Sequence, residues 1–267
     1  MIGPLSGKRV VNTRGLDFAE ELDGLLRAEG AISLSYPCIE ICPIDDSGLL
    51  DAAVTGLADG HFDWLVATSG NTVRSIASRL EALGRSVPSQ PPFRTACVGP
   101  GTAAELFTKL GLYANEIPVT YRGAELAAEV PITPGERVLL PQSEIAPPDL
   151  ANALAARGAN VTTVTAYRTI TGRGGVQLSA LLSNNEVDAI VFASSSAVNG
   201  CAARLQAEGS DISHLRQILT VCIGPGTAGT AADHGLTDTV VPEEHTLGGV
   251  LDALRSVLST SREETPT

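Results

Sequence analysis

The stretch Val98-Gly99-Pro100-Gly101-Thr102-Ala103 occurs a second time as Ile223-Gly224-Pro225-Gly226-Thr227-Ala228. The two copies are 125 residues apart, and the same offset relates Asp63-Trp64-Leu65-Val66-Ala67-Thr68-Ser69 to Asp188-Ala189-Ile190-Val191-Phe192-Ala193-Ser194. Two matches at one offset indicate an internal repeat rather than a chance similarity. We call the repeated stretch segment B. Its first copy covers residues 63–130 and its second copy covers residues 188–258.

A second repeat precedes each copy of segment B. Gly7-Lys8-Arg9-Val10 resembles Gly135-Glu136-Arg137-Val138 at an offset of 128 residues, and Gly30 and Gly158 have the same offset. We call this repeat segment A, with copies at residues 7–36 and 135–167. The chain therefore consists of A, B, a second A and a second B.

The periodicity of apolar residues predicts alternating strands and helices. Segment A has the pattern of a strand, a helix and a strand, in which Asp17 caps the start of the first helix and Gly30 ends it. Segment B has the pattern of three strands alternating with three helices. This alternation is typical of parallel, doubly wound sheets, so one A and one B make a five-stranded flavodoxin-like domain. The repeats leave open whether each A pairs with its own B or the first A pairs with the last B.

Composition and charge restrict the function classes. The net charge of −12 argues against a nucleic-acid partner, which requires a positive surface. The five cysteines are an odd number in mostly apolar stretches, which favours reduced thiols, and we expect no metal site. The N-terminus lacks the apolar core of a signal peptide, and no apolar run is long enough to span a bilayer. We expect a cytoplasmic monomer with no membrane or nucleic-acid partner.

Four loops are expected at the carboxyl ends of the predicted strands, where open parallel sheets bind ligands. Two are serine loops, at residues 68–71 and 194–196, and two are the glycine loops that begin at Gly99 and Gly224. Helix N-termini after such loops present unpaired N–H groups that can bind carboxylates without Lys or Arg. The alternative is that the polar residues only cap their helices. Neither loop pair matches a nucleotide-binding motif, because the Walker lysine and the third Rossmann glycine are absent.

Tyr167 ends a predicted strand at the junction between the second A and the second B. A neutral phenol at this position can donate a hydrogen bond or a proton. The alternative is a tyrosine that packs in the core with its hydroxyl at the rim, which the residues alone favour.

These motifs, in this order, resemble those of the uroporphyrinogen-III synthase family from about Gly7 to Leu258. The resemblance rests on the strand-serine motifs after Asp63 and Asp188, on the two glycine loops and on Ala166-Tyr167-Arg168-Thr169. It implies an α/β fold of two flavodoxin-like, doubly wound parallel-sheet domains that arose by duplication, one inserted in the other and joined by a two-stranded linker. The expected domains are residues 1–36 with 170–258 and residues 40–166, followed by a disordered tail at 259–267.

The resemblance also implies an activity. The family cyclises linear hydroxymethylbilane to uroporphyrinogen III with inversion of ring D and loss of water, as a lyase without cofactor or metal, on the route to heme, siroheme and cobalamin. The substrate's carboxylates suit the loops described above, and hydroxymethylbilane synthase would hand it over. Tyr167 is the expected catalytic residue. The expected substrate-binding residues are Arg14, Thr68, Ser69, Gly99, Gly101, Thr102, Gln142, Ser143, Ser194, Ser195, Ser196, Gly224, Gly226, Thr227 and Ala228.

Two other functions fit the same sequence. The chain could be a non-catalytic sensor that binds a tetrapyrrole or another carboxylate, as part of a fusion with a regulator. It could also be a flavodoxin or a nucleotide-binding protein, which the failed nucleotide motifs disfavour.

Overall fold

A computed structural model describes residues 3–45, 47–119 and 123–259 of the chain. Its residues divide into two compact units. Unit 1 lies within residues 1–40 and 170–267, and unit 2 is formed from residues 41–169. The first A and the second B therefore lie in unit 1, and the first B and the second A lie in unit 2. Most of the expected tail, residues 260–267, is outside the described residues.

The sheet of unit 1 consists of five parallel strands. They are β1 (Arg9–Asn12), β2 (Ile32–Ser35), β8 (Ala189–Phe192), β9 (Leu219–Cys222) and β10 (Thr239–Val240). Their order is β2-β1-β8-β9-β10, with Arg9 opposite Ile32 and Val10 opposite Ala189. The strand order reverses direction at β1, and doubly wound sheets bind ligands beside such a reversal.

The sheet of unit 2 has the order β3-β7-β6-β4-β5. Its strands are β3 (Ile39–Cys42), β4 (Trp64–Ala67), β5 (Arg94–Cys97), β6 (Arg137–Ser143) and β7 (Asn160–Thr171). Strands β4, β5, β6 and β7 pair in parallel. The chain passes from one unit to the other within β3 and again within β7.

The third strand predicted for the first copy of B is reduced to a single bridge between Ala96 and Glu116. The Asn115 side chain accepts the Thr95 N–H at 2.8 Å, so that donor is not available for a ladder. Pro118 follows and has no N–H to donate. The strand is therefore short because the Asn115 side chain occupies the Thr95 N–H and because Pro118 cannot donate to the ladder.

Helices cover both faces of each sheet. Unit 1 has α1 (Leu16–Ala28), α7 (Leu178–Ser183), α8 (Ser195–Ala207), α9 (Pro225–Asp233), α10 (Leu247–Leu258) and a 3-10 helix (Ile212–Gln217). Unit 2 has α2 (Gly48–Ala58), α3 (Gly70–Ala82), α4 (Pro100–Leu110), α5 (Gly123–Glu129) and α6 (Asp149–Ala156). Neighbouring strand residues enter different cores: Val10 packs in one cluster and Val11 in the other. No helix among the described residues is both long and apolar enough to cross a bilayer.

One helix boundary differs from the prediction, and two helices lie outside the repeats. Asp17 does not cap α1, because the cap position is Gly15 and no side chain bonds there; Asp17 lies in the first turn, where its charge favours the helix dipole. Gly30 and Gly158 follow α1 and α6 with φ of +81° and +91°, a conformation that glycine adopts without strain. Helices α2 and α7 lie outside the repeats and connect one strand to the next.

Candidate functional site

The carboxyl ends of three adjacent strands carry the expected site residues of unit 1. Arg14 follows β1, the serine loop Ser194–Ser196 follows β8, and the glycine loop at Gly224 follows β9. The hydroxyl of Ser195 donates to the carbonyl oxygen of Gly226 at 3.2 Å, so the serine and glycine loops are in direct contact. The fold therefore brings together residues that the sequence separates by about thirty positions or more.

Unit 2 carries its expected residues at the same edge of its sheet. Thr68 and Ser69 follow β4, and the glycine loop at Gly99 follows β5. Gln142 and Ser143 end β6, and Tyr167 lies in β7 beside them. Because β4 and β7 both neighbour β6, the side chains of Ser69 and Tyr167 can meet across the end of β6.

Both serine loops cap their helices. Ser69 Oγ accepts the N–H of Thr72 at 3.2 Å, and Ser194 Oγ accepts the N–H of Ala197 at 3.2 Å. A serine in extended conformation that bonds the third helical residue is the standard N-terminal cap. The capping alternative therefore holds for both residues, although each hydroxyl also has a side-chain contact: Ser69 Oγ lies 3.1 Å from the Tyr167 hydroxyl, and Ser194 Oγ lies 3.0 Å from Ser196 Oγ.

The two glycine loops are open. Gly99 and Gly224 are extended, with φ of −168° and −163°, and no side chain caps α4 or α9. A Cβ at Gly101 or Gly226 would meet no atom within 4 Å. Pro100 and Pro225 have no N–H, and the N–H groups of Ala103 and Ala228 bond to Gly99 and Gly224. Each first turn therefore leaves two N–H groups without an acceptor among the described residues, those of Gly101 and Thr102 in α4 and those of Gly226 and Thr227 in α9. Such a turn is suited to a carboxylate, because these N–H groups and the helix dipole favour an anion there.

The threonines of these loops are less accessible than the glycines. Thr102 and Thr227 are each only 7% exposed. Most of each side chain therefore faces the protein, and the parts of the loop open to a ligand are its backbone and the space beside Gly101 or Gly226. Ala228 follows in the first turn of α9, where its N–H already bonds the carbonyl oxygen of Gly224 at 3.1 Å.

Tyr167 is held at both its side chain and its backbone. Its hydroxyl lies 3.1 Å from Ser69 Oγ, and its carbonyl oxygen accepts the N–H of Glu144 at 3.0 Å. The residue is 8% exposed and its ring belongs to a buried apolar cluster. It is therefore a core tyrosine whose hydroxyl is fixed at the carboxyl edge of the sheet.

Strand β6 ends in an irregularity beside Tyr167. The register between β6 and β7 shifts between Gln142 and Ser143, and Ser143 then lies opposite Tyr167. Ser143 Oγ is buried and has no hydrogen-bond partner among the described residues. A bulge of this kind often redirects side chains beside a functional site.

Arg14 is already engaged within unit 1. Its guanidinium lies 3.2 Å from Glu21 Oε2, and its backbone N–H donates to Asn12 Oδ1 at 3.1 Å. The Arg14 side chain is 19% exposed and Glu21 is 66% exposed. Any carboxylate that Arg14 binds must therefore compete with, or share, its pairing with Glu21.

The thiols beside the glycine loops are poor nucleophiles. Burial raises the pKa of Cys97, two residues before Gly99, to about 12, and it raises the pKa of Cys222 to about 11. The thiolate is the reactive form of cysteine. None of the five cysteines is in a disulfide, and the described residues contain no group of three or more His, Cys, Asp or Glu side chains that could hold a metal.

Two features near these loops were not predicted from the sequence. Thr72 is fully buried and its hydroxyl lies 3.1 Å from Ser69 Oγ. A threonine three residues after a serine cap was a usable signal, since that position faces the cap. Arg74 in α3 and Glu105 in α4 form an ion pair of 2.8 Å beside Gly70. No local pattern predicts a pair 31 residues apart.

Comparison with known proteins assigns the family. The family described as uroporphyrinogen-III synthase HemD matches residues 20–252. The chain belongs to this family.

Relatives of the family match along most of the chain. A uroporphyrinogen-III synthase from Synechococcus elongatus is 32% identical over 259 residues, which cover 94% of this chain and 96% of that protein. The porphyrin biosynthesis protein HemD of Ruminiclostridium josui is 28% identical over 95% of this chain. The chain spans about half the length of that relative, of which 49% is matched.

A solved structure of the family has the same fold. A mutant uroporphyrinogen III synthase from the extremely thermophilic bacterium Thermus thermophilus matches with a TM-score of 0.67 and 24% identity, over 95% of this chain and 100% of that chain. A two-domain α/β fold with parallel sheets is therefore confirmed for this member of the family.

Proposed function

We propose that this chain is a uroporphyrinogen-III synthase, a cofactor-independent lyase that converts hydroxymethylbilane into uroporphyrinogen III. Its membership of the family supports the reaction class. The observation that supports a role for a named residue is the position of the Tyr167 hydroxyl, which lies 3.1 Å from Ser69 Oγ at the carboxyl edge of the unit 2 sheet. Parallel sheets bind their ligands at that edge.

Tyr167 would act when the substrate loses its hydroxyl group. The C–O bond of the hydroxymethyl group breaks, and the phenol donates a hydrogen bond or its proton to the departing oxygen, which leaves as water. The carbon that lost the hydroxyl then bonds to the α carbon of ring D that already carries the bridging methylene. The bond from that methylene to ring D breaks, and the methylene bonds to the free α carbon of ring D, so that the macrocycle closes with the ring inverted. The proton released from that carbon restores the phenol, and one water has left in all.

The glycine loops would hold the substrate by its carboxylates. The first turns of α4 and α9 are uncapped and have open space beside Gly101 and Gly226. Backbone N–H groups bind carboxylates without adding positive side chains, which suits a chain with a net charge of −12. Holding a flexible linear substrate in a folded form accounts for much of the rate, because ring closure becomes an oriented intramolecular step.

The isomer assay tests the reaction. Purified protein is supplied with hydroxymethylbilane, generated continuously by hydroxymethylbilane synthase, and the oxidised porphyrins are separated by chromatography. We expect the type III isomer. Formation of the type I isomer alone, which arises without an enzyme, would contradict the proposal, and tight binding of the substrate without turnover would indicate a sensor instead.

The substitution Tyr167→Phe tests the assigned residue. We expect kcat to fall about 100-fold or more with little change in KM or Tm, because the ring stays packed and only the donor is removed. The matched control is Tyr113→Phe in the same unit, since Tyr113 is 76% exposed and its hydroxyl has no role in the proposal. Equal activity of Tyr167→Phe and wild type would leave Tyr167 as a packing residue.

We also propose that the chain acts as a monomer and receives hydroxymethylbilane from hydroxymethylbilane synthase. Light scattering during size-exclusion chromatography, with and without hydroxymethylbilane synthase, tests both points.

A further inference from the structure

We propose that Thr72 and Ser69 hold the Tyr167 hydroxyl as a proton donor, through a chain of hydrogen bonds that runs in one direction from Thr72 to Ser69 to Tyr167. The inference rests on the proposed function, because it explains how Tyr167 is kept ready for the departing hydroxyl. It changes the role of Ser69 from a substrate ligand to a positioning residue.

The direction of the chain follows from counting donors and acceptors at Ser69. Three groups surround Ser69 Oγ: the Thr72 N–H at 3.2 Å, the Thr72 hydroxyl at 3.1 Å and the Tyr167 hydroxyl at 3.1 Å. A serine hydroxyl has one proton to donate and two lone pairs to accept with. A backbone N–H can only donate, so the Thr72 N–H occupies one lone pair.

The buried hydroxyl of Thr72 occupies the second lone pair of Ser69 Oγ. Thr72 is fully buried, and Ser69 Oγ is the acceptor that the described structure provides for its hydroxyl proton. A buried donor that is left without an acceptor costs about 1–3 kcal/mol. The Thr72 hydroxyl therefore donates to Ser69, and both lone pairs of Ser69 are occupied.

Ser69 must then donate its own proton to the Tyr167 oxygen. In this arrangement the Tyr167 proton is not used by Ser69. Tyr167 is 8% exposed whereas Thr72 is fully buried, so of the two hydroxyl protons the one on Tyr167 is the one that an acceptor from outside the protein can satisfy. The proton is free for the substrate. In the reverse arrangement Tyr167 would donate to Ser69 and its proton would be withdrawn from the reaction. The chain also polarises the phenol, because hydrogen bonds in series strengthen one another.

The corresponding positions of unit 1 show that capping does not require the threonine. Ser194, at the 125-residue offset from Ser69, caps α8 through the N–H of Ala197, which stands at the position of Thr72. At the 128-residue offset, Ile39 stands at the position of Tyr167. The cap is thus present in both units without the threonine. The hydroxyl that contacts Ser194 Oγ comes instead from Ser196, at 3.0 Å, so a threonine at this helix position is found in the unit that has the tyrosine.

A double-mutant cycle tests the proposal. Thr72→Val keeps the shape of the side chain and removes its donor, so some molecules adopt the reverse arrangement; we expect kcat to fall about 3- to 10-fold with KM unchanged. Thr72→Ser restores the hydroxyl and should recover most of that loss. In a Tyr167→Phe background, Thr72→Val should cause no further loss of kcat, because the hydroxyl that it orients is already absent.

The matched control is Thr95→Val, which removes a buried threonine hydroxyl of the same unit. Thr95 is 2% exposed and its hydroxyl donates to the Tyr113 carbonyl oxygen at 2.7 Å. This variant should lower Tm and leave kcat unchanged, which separates a loss of stability from a loss of the hydrogen-bond chain from Thr72 to Tyr167, here called the relay. Ser69→Ala gives a second route to the same cycle if Thr72→Val folds poorly.

The possible outcomes distinguish failure of the relay from failure of the proposed reaction. An unchanged kcat for Thr72→Val, or an equal loss of kcat in the wild-type and Tyr167→Phe backgrounds, overturns the relay. If the wild-type protein makes only the type I isomer, the proposed function fails instead. The relay is then decided by neutron diffraction from deuterated crystals: a deuteron on Ser69 Oγ directed at Tyr167 supports it, and one on Tyr167 directed at Ser69 overturns it.

Discussion

Asp63 and Arg137 join two neighbouring strands of unit 2 through both backbone and side chains. The Asp63 N–H donates to the Arg137 carbonyl oxygen and the Arg137 N–H donates to Asp63 Oδ2, each at 2.8 Å. The guanidinium adds Nε to Oδ2 at 3.1 Å and Nη2 to Oδ1 at 2.9 Å. Unit 1 repeats the backbone part, since Asp188 Oδ2 accepts the Arg9 N–H at 2.8 Å. One aspartate thus ties the first B to the second A, and the other ties the second B to the first A.

The pair predicts a pH dependence of stability. Hydrogen bonds from the Arg137 side chain, and then from its N–H, lower the pKa of Asp63 from 3.8 to about 2. A lowered pKa in the folded state contributes stability above the unfolded pKa, and that contribution is lost as the pH falls from about 4 through 2. Because the side chains of Arg137 and Asp63 are 49% and 35% exposed, solvent screening limits the contribution of the pair to stability to about 1 kcal/mol or less.

The measurement compares wild type with Asp63→Asn by urea unfolding between pH 7 and pH 2. We expect Asp63→Asn to be less stable at pH 7, and the difference to shrink below about pH 4. A difference that stays constant down to pH 2 would mean that the charge of Asp63 does not contribute.

Methyl groups at the open glycines should block the substrate without disturbing the fold. A Cβ at Gly101 or Gly226 has no protein neighbour within 4 Å, so Gly101→Ala and Gly226→Ala should keep Tm within a few degrees. Each should raise KM for hydroxymethylbilane several-fold, because the methyl group occupies the space beside the helix N-terminus. Gly229→Ala is the control: it lies further along α9 with equally open space and should leave KM unchanged. An equal KM for all three variants would argue against carboxylate binding at these loops.

Gly200 should tolerate no side chain at all. A Cβ at this position of α8 would overlap the carbonyl oxygen of Cys38. The backbone would have to move, and we expect Gly200→Ala to lower the free energy of unfolding by about 2–3 kcal/mol. Gly24→Ala, in the middle of α1 with nothing within 4 Å, should instead add about 0.5–1 kcal/mol. Thermal or urea unfolding of both variants measures the contrast, and equal stabilities would contradict it.

Local patterns accounted for the strands and helices, and less well for the loops. The helix after Ser69 could be predicted because its apolar residues recur at helical spacing. The cap of α1 was wrong, because Asp17 and the true cap position Gly15 are two residues apart and both suit a helix start. The shortened strand near Glu116 could not be foreseen either, since it depends on a bond between Asn115 and Thr95, twenty residues earlier.

Which of the four loops leave their helices open to a ligand could also be learned only from the structure. Serine and glycine loops look equivalent as helix starts, and only the hydrogen bonds separate them. Ser69 and Ser194 use their hydroxyls as caps, while the glycine loops leave their helices uncapped. A sequence records which residues can cap a helix, but whether they do so depends on the backbone conformation of the loop.

The sequence by itself predicted the repeated segments A and B, the alternation of strands with helices, and the parallel sheets that this alternation is typical of. These properties are set by neighbours along the chain, through apolar periodicity and turn residues. Only the tertiary structure decided which A shares a sheet with which B, and that the Tyr167 hydroxyl meets Ser69, 98 residues away. The physical reason is that the buried strands have similar apolar faces, so their pairing depends on how the whole chain closes its cores.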